Sequence, residues 1–399
     1  MKKLVTMAAV CMIAASVNAQ DIKSILKANS YNDAKNMISA AEATLSNEDK
    51  AKAYNKLVDL ALDMAKKDDE IITKNTLAVQ MKQPTEAYDT IGVFNNIKTA
   101  FEDAAICDKF DQLPNAKGKI APKFRDKNAN RLISYRNTLI NIGNDAFNGK
   151  NYAIAGGAFG LYADTKTNPL FSKSKIDYSN VPMIAFYAEY GQYLSKNYKD
   201  AVKYYDEAMQ DTEHVETAIQ LAAAAYQSMN DTENYRGVLL KAHRANPNNN
   251  NFFEWIVSSY QDANDTIGLK KFAEEEIAMF PNTKQANYLE GLVADYSLKY
   301  EESANAYKKA LEIDPDYTTA QLGAARALLL YGNEIFNDKK LGNGAKTKAL
   351  PYYKESIKLY EIIKNKFPDR KGLWAYPLYS AYYVIGDQAK ASEYEKLNQ

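Results

Sequence analysis

The sequence predicts an all-α protein made of antiparallel helix pairs that follow one another along the chain, and three observations predict it. Pro247, Pro281 and Pro315 lie 34 residues apart, and each closes an apolar, Ala-rich segment of helical period. Alternating apolar and polar strand patterns are hard to find, and 17 glycines with 11 prolines in 399 residues leave few hairpin signals. Hydrophobic residues at 46% and charged ones at 25%, with 30 tyrosines, give the composition of a packed chain and exclude disorder. A 34-residue period makes the length a count of repeats, about six to seven helix pairs, more than a count of domains.

The amino end reads as a secretory signal. Met1-Lys-Lys is a charged start, Leu4 to Ala15 is an apolar run too short to span a bilayer, and Val17-Asn-Ala19 offers the small residues of a cleavage site. Residues 1–19 are therefore expected to be removed, which places the protein in the periplasm or outside the cell. A lipoprotein cut at Cys11 is disfavoured because it leaves a very short apolar core and puts the bulky Val10 before the cysteine. The remaining chain has 48 basic and 50 acidic side chains, a net charge of about −2 that gives no argument for nucleic acid. Cys107 is then left alone, so no disulfide is expected, and within Ala104-Ala-Ile-Cys-Asp108 it reads as a small buried hydrophobe. No second long apolar run exists, so no membrane-spanning segment is expected in the mature chain.

Residues 20–135 read as an irregular helical region. A short apolar helix precedes Tyr31, Ala34, Ile38 and Ala41, which resemble half a repeat, and Ala53, Tyr54, Leu57, Leu60 and Ala61 form an amphipathic helix. From Lys66 to Pro84 the period degrades, as in a long connection or an irregular helix. Ile97, Phe101 and Ala104 restore it, and Phe110-Asp-Gln-Leu-Pro114 closes it. Asn115 to Arg131 carries six basic side chains against one acid, Asp126, and reads as a solvated connector; an anion-gripping loop for a glycan or lipid headgroup is the alternative.

Residues 136–399 read as a regular array. Gly143, at the end of Leu139 to Gly143, is the small residue at a close helix crossing, and Asn151 to Phe159 supplies the second helix of that pair. Ala208, Ala242 and Ala310 fall at multiples of 34 with Glu276 at the position between, and Glu213 stands where a closing proline is due. Tyr226 and Tyr260 hold equivalent places beside Ala223 and Val257. Pro368 follows Pro315 by 53 residues, one period plus 19, which implies an insertion placed at 332–350, where Gly342, Gly344 and several lysines interrupt the pattern. Trp374, Ala381, Tyr382 and Gly386-Asp387 begin a last hairpin whose polar end suits a C-terminal capping helix.

Tyr300 to Pro315, with Gly291, Tyr307 and Ala310, resembles a tetratricopeptide repeat (TPR). The resemblance covers about 140–399 and, in degenerate form, 21–114. It implies a right-handed superhelical solenoid. The whole pattern is also similar to exported bacterial TPR proteins of unassigned function.

No catalytic, cofactor-binding or metal-binding residue is expected. The two histidines, His214 and His243, lack ligand-spaced neighbours, and His243 beside Arg244 suits a helix C-terminus. The glycines at 156–157 and 342–344 lack the setting of a phosphate loop. Function then lies in shape: the first helix of each pair lines a concave face suited to a peptide or protein partner. The 34-residue phase puts Tyr190, Tyr193, Gln220, Gln227, Glu254, Gln261, Tyr288, Asp295 and Arg326 on that face. The reading is a non-enzymatic interaction scaffold of the cell envelope. A self-assembling structural component, and further off a glycan binder or enzyme, are the alternatives.

Overall fold

The computed structural model describes residues 22–115, 117–247 and 249–397, and every regular element among them is helical. The signal-peptide reading therefore lies outside the described residues. The chain divides into two compact units, up to Leu239 and from Leu240.

The first unit holds a short helix α1 (residues 22–27), α2 (Tyr31–Ala41), α3 (Asn47–Gln80), α4 (Thr90–Asp111), α5 (Arg125–Ile133), α6 (Tyr135–Asn148) and α7 (Tyr152–Asp164). After these come α8 (Val181–Leu194), α9 (Tyr198–Lys203), α10 (Tyr205–Ala208) and α11 (Val215–Ser228), and the division falls inside α12 (Thr232–Ala245). The second unit continues with α13 (Asn250–Asp262), α14 (Thr266–Met279), α15 (Lys284–Tyr296), α16 (Tyr300–Ile313), α17 (Thr318–Phe336), α18 (Ala345–Lys366), α19 (Ala375–Ile385) and α20 (Gln388–Leu397). Within each unit the helices pack as successive pairs, such as α6 on α7, α15 on α16 and α19 on α20.

Local chemistry sets these ends. Helices α12, α14, α16 and α18 stop at Ala245, Met279, Ile313 and Lys366, each two residues before a proline, because the ring of a proline pushes the preceding residue out of helical geometry. Where Glu213 replaces that proline, the helix ends earlier, at Ala208. A second mark has the same period: Lys196, Asn230, Asn264 and Leu298 all have φ between 50° and 64° and turn the first helix of a pair into the second. Asparagine tolerates that left-handed geometry better than lysine or leucine does.

Gly332 is next at this spacing, yet it stays helical and α17 runs on to Phe336. The extra 19 residues thus form no separate loop. They lengthen α17 to 19 residues and α18 to 22, against 13 or 14 in the pairs before, and leave only a 3-10 turn, Lys339–Gly344, between them. In the first unit α3 continues unbroken through Lys66 to Gln80, where the sequence suggested a connection or irregular helix. The second helix expected from Tyr198 to Ala208 is kinked at Tyr204, which divides α9 from α10.

Small residues fix the crossings. A Cβ at Gly156 would lie 2.6 Å from the backbone nitrogen of Gln192, and one at Gly191 2.7 Å from that of Gly156, so α7 and α8 touch backbone to backbone. Gly291 and Gly323 leave room on α15 and α17 for the ring of Tyr307, which a Cβ would meet at 2.8 and 2.6 Å. A subset of the tyrosines does such packing work: Tyr204, Tyr307, Tyr317, Tyr353, Tyr360, Tyr382 and Tyr394 are all buried.

Candidate functional site

The first helices of the pairs in the second unit, α13, α15 and α17, bring the predicted face residues into two clusters. In the first, Tyr288 is only 9% exposed and its ring lies 5.6 Å from the rings of Tyr307 and Tyr317 and 6.2 Å from that of Phe253. It is a packing residue, because the second helix α16 and the start of α17 close over it. Glu254 is half-buried on α13, and burial raises its carboxyl above the usual range against the opposing pull of the Lys284 charge. Lys284 itself bonds Asp314 at 2.7 Å and lies over the Tyr317 ring.

The second cluster is built on Asp295, whose side chain is 2% exposed. Ser303 donates to Asp295 Oδ1 at 2.7 Å, and Tyr307 to Oδ2 at 3.2 Å. Arg326, from α17, donates Nη2 to Oδ2 at 2.5 Å while its side chain stays 55% exposed. Asp295 therefore offers no contact surface of its own. It pins the guanidinium of a side chain that stays more than half exposed, so Arg326 is held ready for an acceptor with less rotamer freedom to lose. Gln261 is half-buried at the end of α13.

In the first unit, Gln220 and Gln227 are exposed on α11, as a contact face requires. Tyr190 and Tyr193 are half-buried: the Tyr190 ring meets Phe147 and Phe186, and the Tyr193 ring meets Tyr198. Both side chains pack against the apolar core of the first unit.

His243 differs from expectation. It stands in the last turn of α12, as its position beside Arg244 implies, but it is 1% exposed and its Nε2 lies 2.8 Å from Oε1 of the equally buried Glu276. The physical reason is Glu276 itself, which occupies the position held by Ala208, Ala242 and Ala310 and, once buried, takes His243 as its partner. His214 stacks on Phe186 with ring centres 4.3 Å apart, and its Nδ1 faces Asp211 Oδ2 at 2.7 Å. Cys107 is buried, donates to the Ala51 carbonyl, and burial pushes its thiol up to about 12, so it is an inert packing thiol.

The basic connector is pinned by acids of α3 and α4. Lys123 pairs with Glu48, Arg131 with Asp59, and Arg125 grips Asp108 with two bonds of 2.7 and 2.6 Å. Asp111 accepts the backbone N–H groups of Lys123 and Phe124, both at 2.7 Å. Among the described residues no group of three or more His, Cys, Asp or Glu is placed to hold a metal ion, and no helix is long and apolar enough to cross a membrane.

No family model matches the chain, and no curated protein matches it in sequence. Solved structures similar to it include a TPR repeats protein from Bacteroides fragilis, 20% identical over 63% of this chain and 98% of that one, with a TM-score of 0.36. The C-terminal part of a TPR repeat-containing protein from Cytophaga hutchinsonii is 18% identical over 64% and 92%, with a TM-score of 0.38. A tetratricopeptide repeat protein from Parabacteroides merdae is 12% identical over 66% and 98%, with a TM-score of 0.31. By its own consecutive helix pairs, its prolines and left-handed turns at a 34-residue period, and its glycine-on-tyrosine packing, the chain resembles the tetratricopeptide repeat proteins.

Proposed function

We propose that the protein is a non-enzymatic scaffold of the cell envelope that binds a peptide or protein on the first-helix face of its repeats. The observation that carries this reading is Arg326, an exposed guanidinium fixed by a buried carboxylate on the face where the helical phase predicted contacts. A side chain that serves only solubility needs no buried anchor, whereas a recognition group gains from one. Gln220 and Gln227 on α11 extend the same chemistry, amide donors and acceptors able to bond a partner's backbone, in the first unit. Export rests on the signal-like residues 1–19 and makes the envelope the place to look for the partner.

Photo-crosslinkers decide the matter. Placed at Gln227, Gln261 and Arg326 in the exporting cell, they are expected to trap a discrete protein species, while the same group at Glu274 and Lys309 on the second helices α14 and α16 traps none. Equal trapping at both sets would overturn the face assignment. Trapping of a second copy of this chain would favour the self-assembling alternative.

A further inference from the structure

We propose that Arg136 anchors a binding site for a small oxyanion inside the first unit. Arg136 stands in the first turn of α6 and is 8% exposed. Its guanidinium carbon lies 4.1 Å from the centre of the Tyr162 ring and 5.2 Å from that of Tyr178. Nη1 donates to the Asp177 carbonyl at 3.4 Å, a long bond, and the buried Nε and Nη2 meet no hydrogen-bond partner.

Those two nitrogens form one edge of the guanidinium, a pair of parallel donors matched to two oxygens of one anion. The same unit shows that edge filled. Arg125 sets Nε 2.7 Å from one oxygen of Asp108 and Nη2 2.6 Å from the other. Arg136 presents the same donors with no carboxylate opposite them. Asp177, whose carboxyl feels the Arg136 charge, turns Oδ1 to the N–H of Ser179 at 2.9 Å and gives Arg136 only its backbone carbonyl. The tyrosine faces attract the cation but offer no acceptor to its N–H edge. A buried guanidinium keeps its charge, and buried donors left unmade are costly, so the arrangement calls for an anion that brings two oxygens. Carboxylate, sulfate and phosphate groups share that chemistry; chloride lacks it. Tyr178 and Asp177 come from the connector between α7 and α8, residues 165–180, whose one helical turn is Pro169–Phe171, so the segment beside the guanidinium is largely non-helical.

The test is calorimetric titration of the full chain with sodium acetate, sulfate, phosphate and chloride at matched ionic strength, with hydrogen exchange to locate any effect. One saturable site per chain is expected for an oxyanion and none for chloride, with added protection in α6 and residues 165–180. Arg136→Gln should abolish the heat, and Arg136→Lys, which keeps the charge but not the fork, should weaken binding by about tenfold or more. Binding of acetate alone assigns the site to carboxylates; binding of sulfate and phosphate alone assigns it to tetrahedral anions. Absence of heat with every oxyanion overturns the proposal, as does protection elsewhere or a folded Arg136→Gln protein that binds as the parent does. Should that variant fail to fold, the titration and exchange pattern of the unaltered protein still decide.

Discussion

Two buried carboxylates, one in each unit, show two ways in which a helix pair accommodates the same chemical problem. Asp295 in α15 draws donors from α16 and α17: Ser303, Tyr307 and Arg326 all bond it. Glu189 in α8 is 0% exposed, and neither of its oxygens has a hydrogen-bond partner. Burial pushes the Glu189 carboxyl up to about 9, so it stays protonated at neutral pH. Its position explains its isolation. Counting by 34, Glu189 corresponds to Ala223, Val257 and Gly291, the place where Gly291 lets the Tyr307 ring close on α15. The difference teaches that this fold accepts an acid on the inner side of a first helix either with donors built around it or with its proton retained. The two solutions have opposite consequences for mutation and for pH.

The largest expected effect comes from removing the satisfied acid. Asp295→Ala leaves the Ser303 and Tyr307 hydroxyls buried without an acceptor and releases Arg326, a loss of about 2–4 kcal/mol. Both tryptophans, Trp255 and Trp374, lie in the second unit, so urea unfolding followed by their fluorescence reports on that unit directly. A midpoint unchanged within error would show that the network contributes nothing.

Removing the unsatisfied acid should do the reverse. Glu189→Leu is expected to stabilise the first unit at pH 7–8 by about 2–3 kcal/mol. The sign follows from linkage: the folded carboxyl holds a proton that the unfolded chain loses above its ordinary value of 4.5, so the folded state loses stability as pH rises from there toward about 9. Calorimetric melting from pH 6 to 9 should therefore fall more steeply for the parent than for Glu189→Gln. Parallel slopes would mean that Glu189 is ionised in the fold.

A smaller effect belongs to His243 and Glu276, the intermediate case in which one donor meets one acceptor. Glu276→Ala restores the residue found at 208, 242 and 310 but strands a buried imidazole, and His243→Leu strands a buried carboxylate. The double change is expected to be less harmful than the two singles added, with a coupling of about 1–2 kcal/mol in a double-mutant cycle. Additivity would remove the pair from any account of the second unit's core.

Which of these features the sequence reveals depends on how local their causes are. Proline acts on the residue just before it, so Pro247, Pro281, Pro315 and Pro368 mark helix ends with no knowledge of the rest of the chain. Gly332 misleads because its glycine serves packing against the Tyr353 ring, 3.3 Å from a Cβ there, and makes no turn. The continuation of α3 is hidden because only Ala65 and Ile72 are buried beyond Ala61, too few to show a period. The face positions at 295 and 326 follow from the 34-residue phase, but their roles do not. Whether Asp295 touches a partner or pins Arg326 is decided by Ser303 and Tyr307, on another helix. The partner of His243 likewise stands 33 residues away.

The smallest expected effect separates an acid that holds backbone from one that meets a side chain in water, within the first unit. Glu48 bonds Lys123 at 2.7 Å, but the two side chains are 39% and 57% exposed, so solvent and side-chain entropy offset most of the attraction. The hydrogen bond from Lys123 and the charges of Lys52 and Lys123 lower the Glu48 carboxyl, yet Glu48 is so exposed that the shift carries little stability. Asp111, by contrast, is buried and accepts two backbone N–H groups where the connector enters α5. Lys123→Ala should therefore move the melting midpoint by less than the equivalent of about 0.5 kcal/mol. Asp111→Ala should cost several times more, because two backbone N–H groups at the entry to α5 lose their shared acceptor. If Lys123→Ala proved as harmful as Asp111→Ala, the connector would be held by its surface cations, and the distinction between satisfied and unsatisfied buried acids would lose its explanatory force in this unit.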